Sequence, residues 1–319
     1  GRRGWTTMRW GLAQPASVLL LMVLALPVAA CGEETTGDGS AQPQGTELQL
    51  TLGTKDFTEQ FLLGELYEQA LAARGYKVTL RKDIGSTEVI DTELTSGQID
   101  AYPEYLGVAV TVVAGEADAG SSAAETYRLA TDYYAQRGQA LSEQTPFENV
   151  DAIATTQLFA QQQRLTSLPD LRRLPSFTLG ARPEFADRVQ GLAGLQHVYG
   201  LTNAEFKPIE IGAQYQSLDQ GDIDTANVFT TDGQLAGGNY RLLEDPERLF
   251  GFQHVALVID QDTLERLGGD RFMTVINAVN RRLTTSAMIE MNRDVDLEGQ
   301  DEALVAERFL TGAGLLGGR

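Results

Sequence analysis

Few residues in this chain are of a type and spacing that could carry out covalent chemistry. The two histidines, His197 and His254, stand far apart, and the single cysteine, Cys31, lies near the start of the chain. No H-E-x-x-H, C-x-x-C, G-x-S-x-G or phosphate-loop pattern occurs. Neither a metal nor a cofactor is expected, and the chain does not read as an enzyme. A carboxylate-only hydrolase would need a defined pair, and nothing singles one out among the 44 acidic residues. Four other positions suggest binding. Lys55, Tyr105, Phe229 and either Arg182 or Arg188 each follow an apolar run that gives way to a loop. A ring holds a cation through its quadrupole, at about 0.5–2 kcal/mol per contact. Lysine and arginine hold a carboxylate by charge-assisted hydrogen bonds. A zwitterion with a bulky cationic head uses both. If the fold keeps these residues apart, the rings are ordinary core aromatics and the cations are solvated surface charges.

The elements around them decide whether they meet. "LQLTLGTKDF" alternates like a strand until Gly53, and "TEQFLLGELYEQALAARG" follows with helical spacing of Phe61, Leu62, Leu66, Tyr67 and Leu71. "YKVTLRKDIG" reads as a second strand, "STEVIDTELTSG" as a helix capped by Ser86, and "QIDAY" as a third strand. This alternation predicts a parallel α/β sheet. The pattern then restarts. "LGTKDF" is answered by "LGARPEF", and "LTSGQIDAYPEY" by "LDQGDIDTANVF", in the same order. Two similar α/β lobes follow from that repeat. A late strand, "HVALVID", followed only by amphipathic helices, fits a chain that returns to finish the first lobe. Ligands of parallel sheets sit beyond the C-terminal strand ends, so the four positions converge on a cleft between the lobes.

The flanks predict location. Residues 1–30 read as a secretory signal peptide, with 1–7 upstream of a start at Met8; Arg9 is basic, Val18–Val28 apolar, and small residues precede Cys31. Cys31 follows "VAA" as in a bacterial lipobox and is the expected lipidation site. Residues 31–47 form the anchor and a polar, flexible tether. With Cys31 used as an anchor, no disulfide is available. The net charge of -19 argues against nucleic acid as a partner. A lipid-anchored, monomeric body at the outer face of the cytoplasmic membrane or in the periplasm is the expectation.

Four stretches, "LGTKDFTEQFLLGEL", "SGQIDAYPEYLG", "RPEFADRVQGLAGLQHVYGL" and "FTTDGQLAGGNYRLLED", resemble the substrate-binding proteins of ABC transporters for glycine betaine, carnitine and choline. The likeness spans about residues 48–315. It implies a two-lobed, type II periplasmic-binding-protein-like fold with the ligand cleft between lobes. Lobe I would comprise 48–149 plus 251–319 and lobe II 150–250, with crossovers near 148–152 and 248–253. It also implies a partner permease and ATPase. Matched motif by motif, the resemblance assigns Lys55 and Arg188 to a carboxylate, and Tyr105 and Phe229 to a cation. Three positions depart from the family pattern. Val108 replaces a threonine, while Asp151 and Gln253 replace two tyrosines of the aromatic cage. A cage cut to two rings would hold trimethylammonium less well. Asp151 and Gln253 would instead suit a head group with N–H donors, so the ligand is a betaine-like compound or another cationic amine or amino acid. Alternatively Phe147 or Phe252 completes the cage. A non-transporting sensory lipoprotein is the rival of another class.

Overall fold

Residues 48–316 are described by the computed structural model. The leader, Cys31 and the tether lie outside the described residues. Among the described residues no helix is long and apolar enough to cross a membrane.

Among the described residues ten strands carry the fold: β1 (Gln49–Gly53), β2 (Lys77–Arg81), β3 (Ala101–Tyr105), β4 (Gln139–Leu141), β5 (Asp151–Thr156), β6 (Phe177–Ala181), β7 (Ala204–Pro208), β8 (Thr225–Phe229), β9 (Tyr240–Leu242) and β10 (Val255–Asp260). They form two five-stranded sheets, ordered β2-β1-β3-β10-β4 and β7-β6-β8-β5-β9. The orders match strand for strand, with β1 answering β6, β3 answering β8 and β10 answering β5. Each sheet is mixed rather than wholly parallel as the alternation predicts. β10 runs antiparallel to β3 and β4, and β5 antiparallel to β8 and β9. These are the two strands entered directly from the other sheet. They arrive from the opposite end, with no helical crossover to turn them parallel.

The repeat in the sequence has a packing cause. A Cβ on Gly53 would lie 2.7 Å from Ile99 and 2.8 Å from Ile84; on Gly180 it would lie 2.6 Å from Ile223 and 2.8 Å from Ile209. One residue on from each inserted isoleucine, an aspartate ties the neighbouring strand. Asp100 accepts from the Thr51 amide at 2.7 Å, and Asp224 from the Thr178 amide at 2.8 Å. "GQID" and "GDID" are therefore the same device in both lobes.

The third strand is displaced from its expected place. It covers "AYPEY" rather than "QIDAY", so Tyr105 is its last residue and not a loop residue. Pro103 is tolerated in mid-strand because β1 pairs with β3 only at Leu52 and Ala101, beyond which that edge needs no amide donor. The Pro103 carbonyl accepts instead from Gln60 Nε2 at 3.2 Å. The two passages between sheets, from Leu141 to Asp151 and from Leu242 to Val255, run together. Glu148 bridges His254, and the Asn149 amide donates to the Gln253 carbonyl at 3.0 Å.

Candidate ligand-binding site

Lys55 and Arg182 follow β1 and β6, each two residues after the equivalent glycine of its strand. β3 and β8 end in Tyr105 and Phe229. Each lobe thus sets one cation beside one ring: Lys55 Nζ lies 5.0 Å from the Tyr105 centroid, and the Arg182 guanidinium carbon 5.4 Å from that of Phe229. Phe57, just before the helix Thr58–Ala72, stands against both rings. It stacks on Tyr105 at 6.1 Å and 20°, and on Phe229 at 5.4 Å and 15°. The ring set therefore has three members, not the two expected from the sequence. Phe147 and Phe252 do not line this cleft, an open-mouthed space of about 450 Å³ with the solvent at its mouth included. All six residues singled out by sequence, Lys55, Tyr105, Asp151, Arg188, Phe229 and Gln253, do line it.

Their charges are mostly spoken for. Lys55, 4 % exposed, is ion-paired with the fully buried Glu104 of β3. Burial pushes the Lys55 ammonium down, helped by the Arg188 and Arg182 charges, and pushes Glu104 up, so each needs the other to stay charged. Arg182 donates to both oxygens of Asp151, at 2.8 and 3.1 Å, and to Asn227 at 2.5 Å. Burial opposes ionisation of Asp151, but the Arg182 charge and bonds outweigh it and hold Asp151 below its ordinary value. Asn227 also donates to Asp151 at 2.9 Å. The Asp151 carboxylate is thus occupied from within the lobe rather than presented to an amine head group. Gln253 is likewise engaged. Its oxygen accepts from the Val108 amide at 3.1 Å, and its nitrogen donates to Gln190 at 3.2 Å and to the Phe250 carbonyl at 3.1 Å.

Arg188 differs from both. It reaches across the lobes to Glu88 at 3.0 and 3.1 Å, through one terminal nitrogen, and its buried Nε has no hydrogen-bond partner. Beside it, Ser86 and Thr87 bring the start of the helix Thr87–Thr95 to the cleft. A cleft with an unpartnered guanidinium N–H, a helix N-terminus and half-exposed rings can take a carboxylate and an organic cation together.

Behind Tyr105 stands a residue that sequence reasoning passed over. Glu59, 2 % exposed, accepts four hydrogen bonds: from the Tyr105 hydroxyl at 2.8 Å, Asn149 at 2.9 Å, Thr231 at 2.6 Å and Asn292 at 3.0 Å. Burial still pushes its carboxyl up. Phe57 and Arg182 were missed or left undecided although the repeat marks one of them. Lys55 and Arg182 occupy the same place in "LGTK" and "LGAR".

Comparison with known proteins shows what the chain as a whole is similar to. The model of the substrate-binding domain of ABC-type glycine betaine transport systems matches residues 49–312. A glycine-betaine-binding protein of Pseudomonas aeruginosa is 32% identical over 82% of this chain and 86% of its own length. The glycine betaine-binding protein YehZ of Escherichia coli is 25% identical over 92% of this chain and 95% of its own. Among solved structures, a glycine betaine/carnitine/choline ABC transporter protein superposes with a TM-score of 0.68 at 22% identity. That match covers 84% of this chain and all of the other.

Proposed function

From the premise that the chain belongs to the substrate-binding domains of ABC-type glycine betaine transport systems, we propose that it captures a small zwitterion with a quaternary-ammonium head outside the cytoplasmic membrane and delivers it to a permease and ATPase. Lipidation at Cys31 would tether it there as a monomer. The observation that carries the ligand assignment is the pairing of the ring stack with Arg188. The ligand's carboxylate takes the Arg188 guanidinium, whose Nε has no partner within the protein, supported by Ser86 and Thr87. Its head packs on Phe57 and Phe229, the two half-exposed rings of the stack. Lys55 and Arg182 back the rings from within each lobe, and Glu59 holds the Tyr105 hydroxyl. Asp151 then acts as the counter-ion of Arg182, and no head group with N–H donors is needed to satisfy it.

Titration calorimetry with glycine betaine, carnitine, choline and ergothioneine tests this. Arg188→Ala should weaken the carboxylate-bearing betaine and carnitine by about ten-fold or more, and choline far less. Phe57→Ala should weaken all quaternary ligands, by about two- to thirty-fold. Unchanged betaine affinity in Arg188→Ala, or no heat with any of the four, would overturn the assignment.

A further inference from the structure

The rings that end β3 and β8 hold equivalent places, but only one of them carries a hydroxyl. Tyr105 is held by its own, which donates to Glu59 Oε1 at 2.8 Å. Phe229 has nothing to donate, and the same carboxylate reaches it along the chain instead. Thr231, two residues on and fully buried, donates its hydroxyl to Glu59 Oε2 at 2.6 Å. The link between them is stiff. The Phe229 amide donates to Asp232 at 3.0 Å, and the Thr230 amide to the Val150 carbonyl at 3.0 Å. The third ring, Phe57, stands two residues before Glu59 at the start of the same helix. One side chain thus has a short route to every ring of the stack, and those rings come from both lobes. Asn149, on the first passage between the sheets, and Asn292, on the helix Thr285–Asp296, complete its partners, so that each oxygen takes two donors. Asn292 also donates to the Thr231 carbonyl at 3.0 Å, and a Cβ on Gly233 would stand 2.6 Å from the Arg293 Cα. The segment after Phe229 is therefore seated on lobe I, with Glu59 beneath it.

Glu59 does not line the cleft. We propose that it is the positioning residue of the ring stack: one carboxylate, touching no ligand, fixes the rings of the two lobes relative to each other and so sets the affinity for the head group. All four of its partners are donors. An ionised carboxylate accepts at both oxygens, whereas an amide in its place would turn one end into a donor facing two others. Burial pushes the Glu59 carboxyl up, and the bonds from Thr231, Asn292, Tyr105 and Asn149 oppose that push. A hub that served folding alone would leave the affinity of a folded variant untouched, which separates the two roles. The inference rests on the reading of the cleft as a site for a quaternary head group.

The test is calorimetry with glycine betaine and choline on variants that each remove one tie and keep the shape. Tyr105→Phe and Thr231→Val should each weaken both ligands by about three- to thirty-fold. The factor should be the same for betaine and choline, because the rings serve the head that the two share, whereas Arg188→Ala changes their ratio. Thr231→Ser, which keeps the hydroxyl, should recover what Thr231→Val loses. Glu59→Gln should weaken both ligands at least as much, and Tyr105→Phe added to it should cost little more. A thermal melt establishes that Glu59→Gln is folded, and the Thr231 pair carries the test if it is not. Wild-type affinity in Thr231→Val, no recovery with Thr231→Ser, or a loss confined to one of the two ligands would overturn this inference alone. Failure of the wild-type chain to bind either ligand would overturn the betaine reading and this inference with it.

Discussion

Asp151 illustrates how a side chain can line a cleft without being offered to it. Its oxygens accept three bonds from the Arg182 fork and Asn227, all inside lobe II. Removing the acid alone leaves a buried guanidinium with only the half-buried Glu184 on its Nε, a loss on the order of the 3–5 kcal/mol of a broken buried pair, whereas replacing a whole buried pair by apolar groups is often neutral. Urea unfolding should therefore show Asp151→Ala destabilised by about that amount, and Asp151→Leu/Arg182→Met close to wild type. A fully stable Asp151→Ala would mean that the half-buried Glu184, 3.2 Å from the Arg182 Nε, suffices as its counter-ion. Nothing local in the sequence announces this pairing, since the partners lie 31 residues apart on β5 and after β6. The same is true of Glu59, whose donors come from positions 105, 149, 231 and 292. Lys55, Tyr105 and Phe229 were legible for the opposite reason: a strand end is a local signal, and a ring or cation there has a direction.

At the scale of elements, strands and helices follow from periodicity, but strand direction does not. Alternation of strand and helix predicts parallel neighbours, and β1, β2 and β3, like β6, β7 and β8, obey it. β5 and β10 do not, because each enters its sheet from the other lobe. The repeat was legible because each lobe needs the same glycine–isoleucine contact. That contact is testable. Gly53→Ala and Gly180→Ala should each destabilise by about 1–3 kcal/mol through overpacking. The isoleucine Cδ1 atoms are what the new Cβ would strike. Ile99→Val should therefore recover part of the first loss and Ile223→Val part of the second, with no cross-rescue between lobes. A Gly→Ala variant as stable as wild type in a thermal melt would refute the contact.

At the scale of the whole molecule the lobes are unequal in how they depend on the chain. The core of lobe II draws only on residues between Val150 and Phe250, from Leu168, Leu171 and Phe177 on one face of its sheet to Tyr215, Leu218 and Val228 on the other. Lobe I is not continuous. Both faces of its sheet need β10, whose residues from Val255 to Ile259 are fully buried, and its larger core also needs Phe272, Ile276, Met288 and Leu310. What lobe II loses when cut free lies at its border, namely the Phe57–Phe229 stack and polar contacts such as Thr231 to Glu59, Arg188 to Glu88 and Gln190 to Gln253. A fragment of residues 150–250, roughly 100 residues and within the range that folds alone, should give a dispersed NMR spectrum and a cooperative urea transition. The fragment 48–149 should not, until 251–316 is supplied in trans and completes its sheet. A molten 150–250 fragment, or an independently folded 48–149, would show that the order of assembly is not set by the route of the chain.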